Sequence, residues 1–442
     1  MPISDPTRSA NMAGKIDLTF GVNGVASIDV PGATGSNVYG VINGPDGTLY
    51  VCGDARIQGS SKFFITALNS TGTVISGFGD NGYVIDVFEE NEFSHAGQLA
   101  LTDKKLLLLG SSYIGRDLFP ALAQLDLQGN FDPTFGENQS GKIVIHLPSP
   151  PGTSSDQDRP DPFTLEATNS GDTGKGSANI LADGKVLLSH YFFRPGLPNH
   201  GLIIRTHANG SLDTEFAGRG YLTVVAPGFE NGQTQVESVS IDTEGRYLVC
   251  GGLYDLGSSP LSTFFARYSP EGQPDTSFGP KGFKIIQSPE DLLGGARATA
   301  LIPLQGGRVL SLGSSVHDPY VGQMLMLKND GELDPGFNLG KPVYTQLAES
   351  STIWRAFTYQ TNEKIVVAGA IDKRKDSFNF DIVIARFNNT GHLDTEFNDG
   401  LGWARTRLSA LSHGANAVVV QNDKIAIGGV SNKKGIVVRY YS

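Results

Sequence analysis

Short apolar runs bounded by polar, glycine-containing turns recur along most of this chain, the pattern of β-strands. GYVIDVF (82–88) and KIVIHL (142–147) are examples, rich in the β-branched residues that suit a pleated surface. Pairs of such runs meet at tight turns in NVYGVINGPDGTLYVCG (37–53), VESVSIDTEGRYLVCG (236–251) and NAVVVQNDKIAIGG (416–429). Asp-Gly and its relatives there supply the positive φ that a hairpin turn requires. Further runs read KFFITALN, FPALAQLD, GLIIRTH, TFFARYS, QMLMLKN, DIVIARFN and GIVVRYYS. The pattern predicts an all-β chain.

The runs recur in a fixed order. A corner of the type LDTEF appears as IDLTFG, VISGFG, FDPTFG, LDTEFA, PDTSFG, LDPGFN and LDTEFN, with its Phe at 20, 78, 135, 216, 278, 337 and 397. The spacings are 58, 57, 81, 62, 59 and 60 residues. A period near 60 accommodates four short strands with their turns, one blade of a propeller. Strands a and b form the hairpin, c is the run ending in ARYS or its counterparts, and d follows the corner. The corner Asp (17, 132, 213, 275, 334 and 394; Ile75 in the second copy) is expected to bond its own backbone two residues on, as a solvated turn carboxylate. The Phe is expected to fill the space between blades. Counting nine residues back from strand b selects Gly40, Gly97, Ser177, Ser238, Ala300, Ala356 and Asn416, small in all but the last, as expected for an inner strand a near the axis. The chain ends after a strand c and begins with a corner and a strand d. The expectation is a seven-bladed β-propeller of four-stranded blades, residues 14–442 after a tail at 1–13. Residues 25–30 are expected to complete the last blade beside 435–442, removing exposed sheet edges.

The segments QNDKIAIGG, IARFNNTG and LDTEFNDG resemble the delta-60 repeat family of bacterial β-propellers, over residues 14–442. The resemblance implies the propeller fold and brings no catalytic motif with it.

Composition sharpens this picture. The chain has 442 residues with 56 Gly and 23 Pro, a turn-rich content, and a formal charge of −11 that disfavours nucleic acid and anionic membranes as partners. No apolar run is long enough to span a bilayer, and MPISDPTRSANMAG lacks the n- and h-regions of a classical signal peptide. A soluble protein is expected, in the cytoplasm or exported without a leader. Cys52 and Cys250 fall at one strand b position in blades 1 and 4, nearly opposite across the ring, and are expected to be free thiols.

Candidate chemistry lies in the loops. The a-b and c-d turns share one face and are uniform, whereas the b-c and d-a loops of the other vary, and such loops usually carry binding residues. The 81-residue spacing places an insertion at about 148–177, between blades 2 and 3, with Asp156, Asp158 and Asp161 in it. These aspartates lack the Gly and closing Glu of an EF-hand, so no metal is expected. Strand b ends in Gly at 53, 110, 251, 313, 369 and 429, but blade 3 has His190, followed by Tyr191, Phe192, Phe193 and Arg194. With His200, His95, Arg297, Arg355, His317, Tyr320 and His413 on the same face, His190, Tyr191 and Arg194 are the candidate ligand-binding residues. No nucleophile elbow, HExxH, phosphate loop or cysteine cluster is present, and no cofactor is expected. The leading reading is a noncatalytic binding or interaction protein that offers its variable loop face to a protein, glycan or small ligand. The alternative is a lyase or hydrolase with a His/Arg site at the channel mouth, and a third reading is a structural module of a larger assembly.

Overall fold

The corner motif folds on itself before it packs on anything else. In every copy the Phe N–H bonds the carbonyl three residues back, from Phe20 on Asp17 to Phe397 on Asp394. The Asp carboxylate accepts the N–H two residues on, for example Thr134 at 2.9 Å, Ser277 at 3.0 Å and Gly336 at 2.9 Å. This turn sends each Phe ring toward the next blade. The computed structural model describes residues 12–102, 104–115, 117–148, 177–192, 198–255, 262–292, 294–372, 379–408 and 412–442.

Seven antiparallel sheets result. Blade 1 comprises Ala33–Asn43, Leu49–Ile57, Ser60–Leu68 and Tyr83–Asp86, paired in chain order from inner to outer strand. The same order repeats at 93–144, 178–223, 233–286, 296–345 and 352–406. Blade 7 takes His413–Gln421, Lys424–Ser431 and Lys434–Tyr441 from one end of the ring's sequence and its outer strand, Val25–Ile28, from the other. Val25 faces Val438 and Ile28 faces Gly435, so four of the six residues expected at this edge are paired. The closure also rebuilds the missing c-d turn: Gly14 N–H bonds the Tyr441 carbonyl and Tyr441 N–H bonds that of Lys15. Among the described residues there is no α-helix, and no helix is long and apolar enough to cross a membrane.

The core is divided into wedges between adjacent blades, and each of the seven corner phenylalanines sits in a different one. All are at most 2% exposed, and each such burial contributes about 1.5–3 kcal/mol. Cys52 and Cys250 are free and buried in two of these wedges, as their strand positions predict.

The corner aspartates are not solvated as expected. Asp17 and Asp213 are fully buried and Asp394 is 3% exposed, because an Arg on the third strand of the blade returns to meet the carboxylate. Eight residues before the Asp in each case, Arg205 reaches Asp213 at 2.7 Å, Arg267 reaches Asp275 at 2.7 Å and Arg386 reaches Asp394 at 2.6 Å. Arg439, from the far end of the sequence, plays this part for Asp17 at 2.8 Å. Each guanidinium also lies 4.4–5.0 Å above its corner Phe ring. Three of them then cross the wedge to a turn carbonyl of the next blade, Arg205 to Pro270 at 2.8 Å, Arg267 to Asn329 at 2.7 Å and Arg439 to Ser70 at 2.6 Å.

Candidate functional site

Six inner strands share one irregularity near their start. The register slips by one residue between Val38 and Gly40, Ala96 and Gln98, Val236 and Ser238, Ala298 and Ala300, Trp354 and Ala356, and Ala415 and Ala417. The extra residue of each bulge is Tyr39, Gly97, Glu237, Thr299, Arg355 or Asn416. Gly97 and Asn416 are therefore bulge residues, and the paired inner positions of blades 2 and 7 are Gln98 and Ala417, which face Leu109 and Gly428, so a small residue stands there in blade 7 but not in blade 2.

The bulge also explains the glycine that closes strand b. It turns an inner-strand carbonyl onto the neighbouring Cα, so a Cβ on Gly53 would lie 1.8 Å from the Asn37 oxygen. At Gly110, Gly251, Gly313, Gly369 and Gly429 the corresponding distance is 1.9–2.2 Å. In blade 3 the counterpart of that carbonyl falls in the segment before residue 177, outside the described residues.

The bulges bring polar side chains of adjacent blades together around the axis. Arg355 of blade 6 donates to the Asn416 side-chain oxygen of blade 7 at 3.1 Å. Asn416 donates to the Asn37 side chain of blade 1 at 3.1 Å and to the Val38 carbonyl at 3.0 Å. Asn37 donates to the Tyr39 hydroxyl at 2.6 Å, and the Tyr39 ring packs 4.8 Å from that of His95 in blade 2. His95 Nδ1 bonds Asp54, whose other oxygen accepts the Ala96 N–H at 2.7 Å. His95 is 4% exposed, and its Nε2 has no hydrogen-bond partner among the described residues. Elsewhere in the wheel Arg297 pairs with Glu237 at 3.4 Å, blade 5 to blade 4. Before the bulge the inner strands are buried, as at Thr352–Trp354 and His413–Ala415; beyond it Phe357, Thr358, Tyr359 and Val418, Val419, Val420 are half-exposed. The wheel thus lies where the inner strands pass from full burial to partial exposure on the side of the a-b hairpins.

Of the candidate residues, His95 and Arg355 belong to this chain of contacts, and Arg297 to the opposite arc. Tyr320 is half-buried against Ile353, Ala370 and Phe380. Burial and Asp318 raise its hydroxyl pKa against the opposing charge of Arg355. His413 is buried at the start of the blade 7 inner strand, beside the wheel. His317 is exposed and lies over Gly294. Blade 3 goes elsewhere. His190 is 2% exposed in the wedge against blade 2, its ring 4.6 Å edge-on from Phe192, which meets Phe119 at 5.6 Å. Burial lowers its pKa to about 4, outweighing the pull of Asp117 and a hydrogen bond with the Leu118 backbone. Tyr191 donates to Gln233 at 3.2 Å. His200, whose pKa burial lowers, meets the Glu230 carbonyl at 3.3 Å beside a short parallel pairing of Asn199–His200 with the blade 4 inner strand. Arg194 and the insertion's aspartates lie outside the described residues. No group of three or more metal-ligating side chains occurs among the described residues. A shallow groove of about 300 Å³ between Leu408 and the blade 7 edge strand, at Val25 and Ser27, is remote from the wheel.

Asp54, Asn37, Tyr39, Glu237 and Asn416 are functional candidates that sequence reasoning misses. Their signal is positional: each lies at the bulge, two residues before it, or on the strand b residue after the closing glycine.

No curated protein matches this chain. Among solved structures, BamB from Moraxella catarrhalis is 12% identical with a TM-score of 0.39, covering 92% of this chain and 85% of that one. Sqt1 from Chaetomium thermophilum is 13% identical with a TM-score of 0.43, over 93% and 97%. The NanB sialidase of Streptococcus pneumoniae is 12% identical with a TM-score of 0.40, over 100% and 71%. Similarity at this level carries nothing about ligand or activity. Residues 360–397 match a family described as a domain of unknown function (DUF5122) β-propeller. That match runs from the hairpin before the second strand of blade 6 through its corner Phe397, and the chain as a whole folds as a seven-bladed β-propeller.

Proposed function

We propose that the protein is a noncatalytic binding protein whose ligand is small and polar and sits in the channel against the wheel of bulge residues. One observation carries this reading. The backbone irregularity is the same in six blades, yet its extra residue is Tyr39, Gly97, Glu237, Thr299, Arg355 or Asn416. A repeat under structural demand alone keeps one residue there, as it keeps the corner Phe in all seven copies. Rigid strands hold these side chains, which suits a preformed site. The test is a thermal-shift screen of small polar molecules on the full chain and on Asn416→Ala. Compounds that stabilise the first and not the second support the reading; compounds that stabilise both equally place the site elsewhere.

A second reading, an enzyme, draws on the Asp54–His95 pair, since a carboxylate on Nδ1 fixes the orientation of the imidazole and leaves Nε2 to exchange a proton with a substrate. Turnover of any screened compound that is lost in Asp54→Asn while binding persists would favour it.

A further inference from the structure

We infer that the wheel receives a neutral, hydroxyl-rich molecule of the carbohydrate class, one hydroxyl of which bonds His95 Nε2. This rests on the reading of the channel as a binding site and adds the chemistry of the ligand.

The first observation is the unsatisfied nitrogen. His95 is tied to Asp54 through Nδ1, is 4% exposed, and leaves Nε2 buried without a partner among the described residues. A buried polar atom in that condition is costly and rare in a native protein, and a bound group relieves it. The second is beside it. At five of the six bulges the extra residue carries a side chain; in blade 2 it is Gly97, two residues from His95 and half-exposed. The place where a side chain is missing therefore adjoins the residue whose nitrogen lacks a partner.

Chemistry narrows the occupant. A hydroxyl both donates and accepts, so it serves Nε2 whichever proton state the Asp54 pair imposes, and the amides of Asn37 and Asn416 offer donors and acceptors for its neighbours. Charge argues against an ionic ligand. The described residues of the wheel include two arginines, Arg297 and Arg355, and two carboxylates, Asp54 and Glu237, so a further charge would be buried without a counterpart.

The experiment is NMR of the full chain carrying isotope-labelled histidine, titrated with glucose, galactose and maltose, and with glucuronate and glucosamine as charged counterparts. The His95 Nε2 resonance is assigned by its loss in His95→Phe. At least one neutral sugar should move it, the charged counterparts should bind about tenfold more weakly, and Asn416→Ala should weaken the neutral sugar about tenfold. Because His95→Phe strips Asp54 of its partner and can unfold the blade, the binding readout rests on the unmutated chain and on Asn416→Ala. A neutral sugar that binds without moving Nε2 overturns the inference. So does tighter binding of a charged counterpart that moves Nε2, which overturns the ligand class and leaves the channel site standing. If no sugar moves any histidine the carbohydrate class falls, and the thermal-shift screen decides separately whether the channel binds anything.

Discussion

A methyl group on Gly53 would meet the Asn37 carbonyl at 1.8 Å, a contact that neither backbone can relieve without breaking the bulge. Gly53→Ala is expected to destabilise the protein by at least about 3 kcal/mol in urea unfolding. Gly77→Ala, where nothing lies within 4 Å, should stay within about 0.5 kcal/mol. His190 makes a second test. Its folded pKa is about 4 against an ordinary 6.5, so the unfolded chain binds the extra proton first. The stability that neutral His190 contributes is complete above pH 6.5 and declines as pH falls toward 4. His190→Gln should flatten melting temperature over that window, and an unchanged slope would show that the ring titrates in solvent. Strand b glycines are legible as a repeated letter, but their cause is not. A bulge shifts register by one without altering period-two alternation on either side, so the wheel residues Asn37, Glu237 and Asn416 look like ordinary strand positions in the sequence.

Corners are where elements are held to one another. In blade 3 the buried Asp–Arg pair joins the turn to its own third strand, and the same guanidinium caps the Phe and bonds the next blade. Burial alone would raise the Asp213 pKa, yet Lys185 at 3.1 Å and Arg205 at 2.7 Å hold it below the ordinary value. Asp213→Asn keeps the turn's acceptor and removes only charge. It should cost about 2–3 kcal/mol by urea midpoint, because two cations are left facing a neutral amide. Asp334→Asn should cost less than about 1 kcal/mol, since Arg308 stands 3.9 Å away and is partly solvated. Equal losses would mean the turn, not the ion pair, carries the corner. The turn and the wedge-filling Phe are legible in the repeated LDTEF. The pairing is written there too, as an Arg eight residues before the Asp in three blades, but only spatial register shows that the third strand runs back past the corner.

For the whole molecule the seven corners and the mismatched ends suffice to predict the ring, because a propeller has to satisfy its last edge. Residues 12–28 supply that edge together with the rebuilt turn at Gly14 and the Phe20 wedge. Deleting residues 1–30 should abolish the cooperative thermal transition, and adding a peptide of residues 12–30 should restore it. A deletion variant that melts as one unit without the peptide would show that six blades and an open seventh suffice. The site is less legible than the ring, since a polar residue at a strand end, such as His190, or in a loop, such as His317, signals a wedge or exposure as readily as a ligand.

The shared seventh blade also sets an order on birth. Val25–Ile28 leaves the ribosome before every other described strand of the ring, and its partner Lys434–Tyr441 leaves after all of them. Residues 29–433 are made in between, which takes roughly 20 to 80 s at the usual pace of synthesis. Through that interval an apolar strand waits without its neighbour while six blades assemble beside it. The cell therefore carries an open, adhesive ring for as long as translation lasts, and chaperone demand should follow elongation speed rather than the stability of the finished fold.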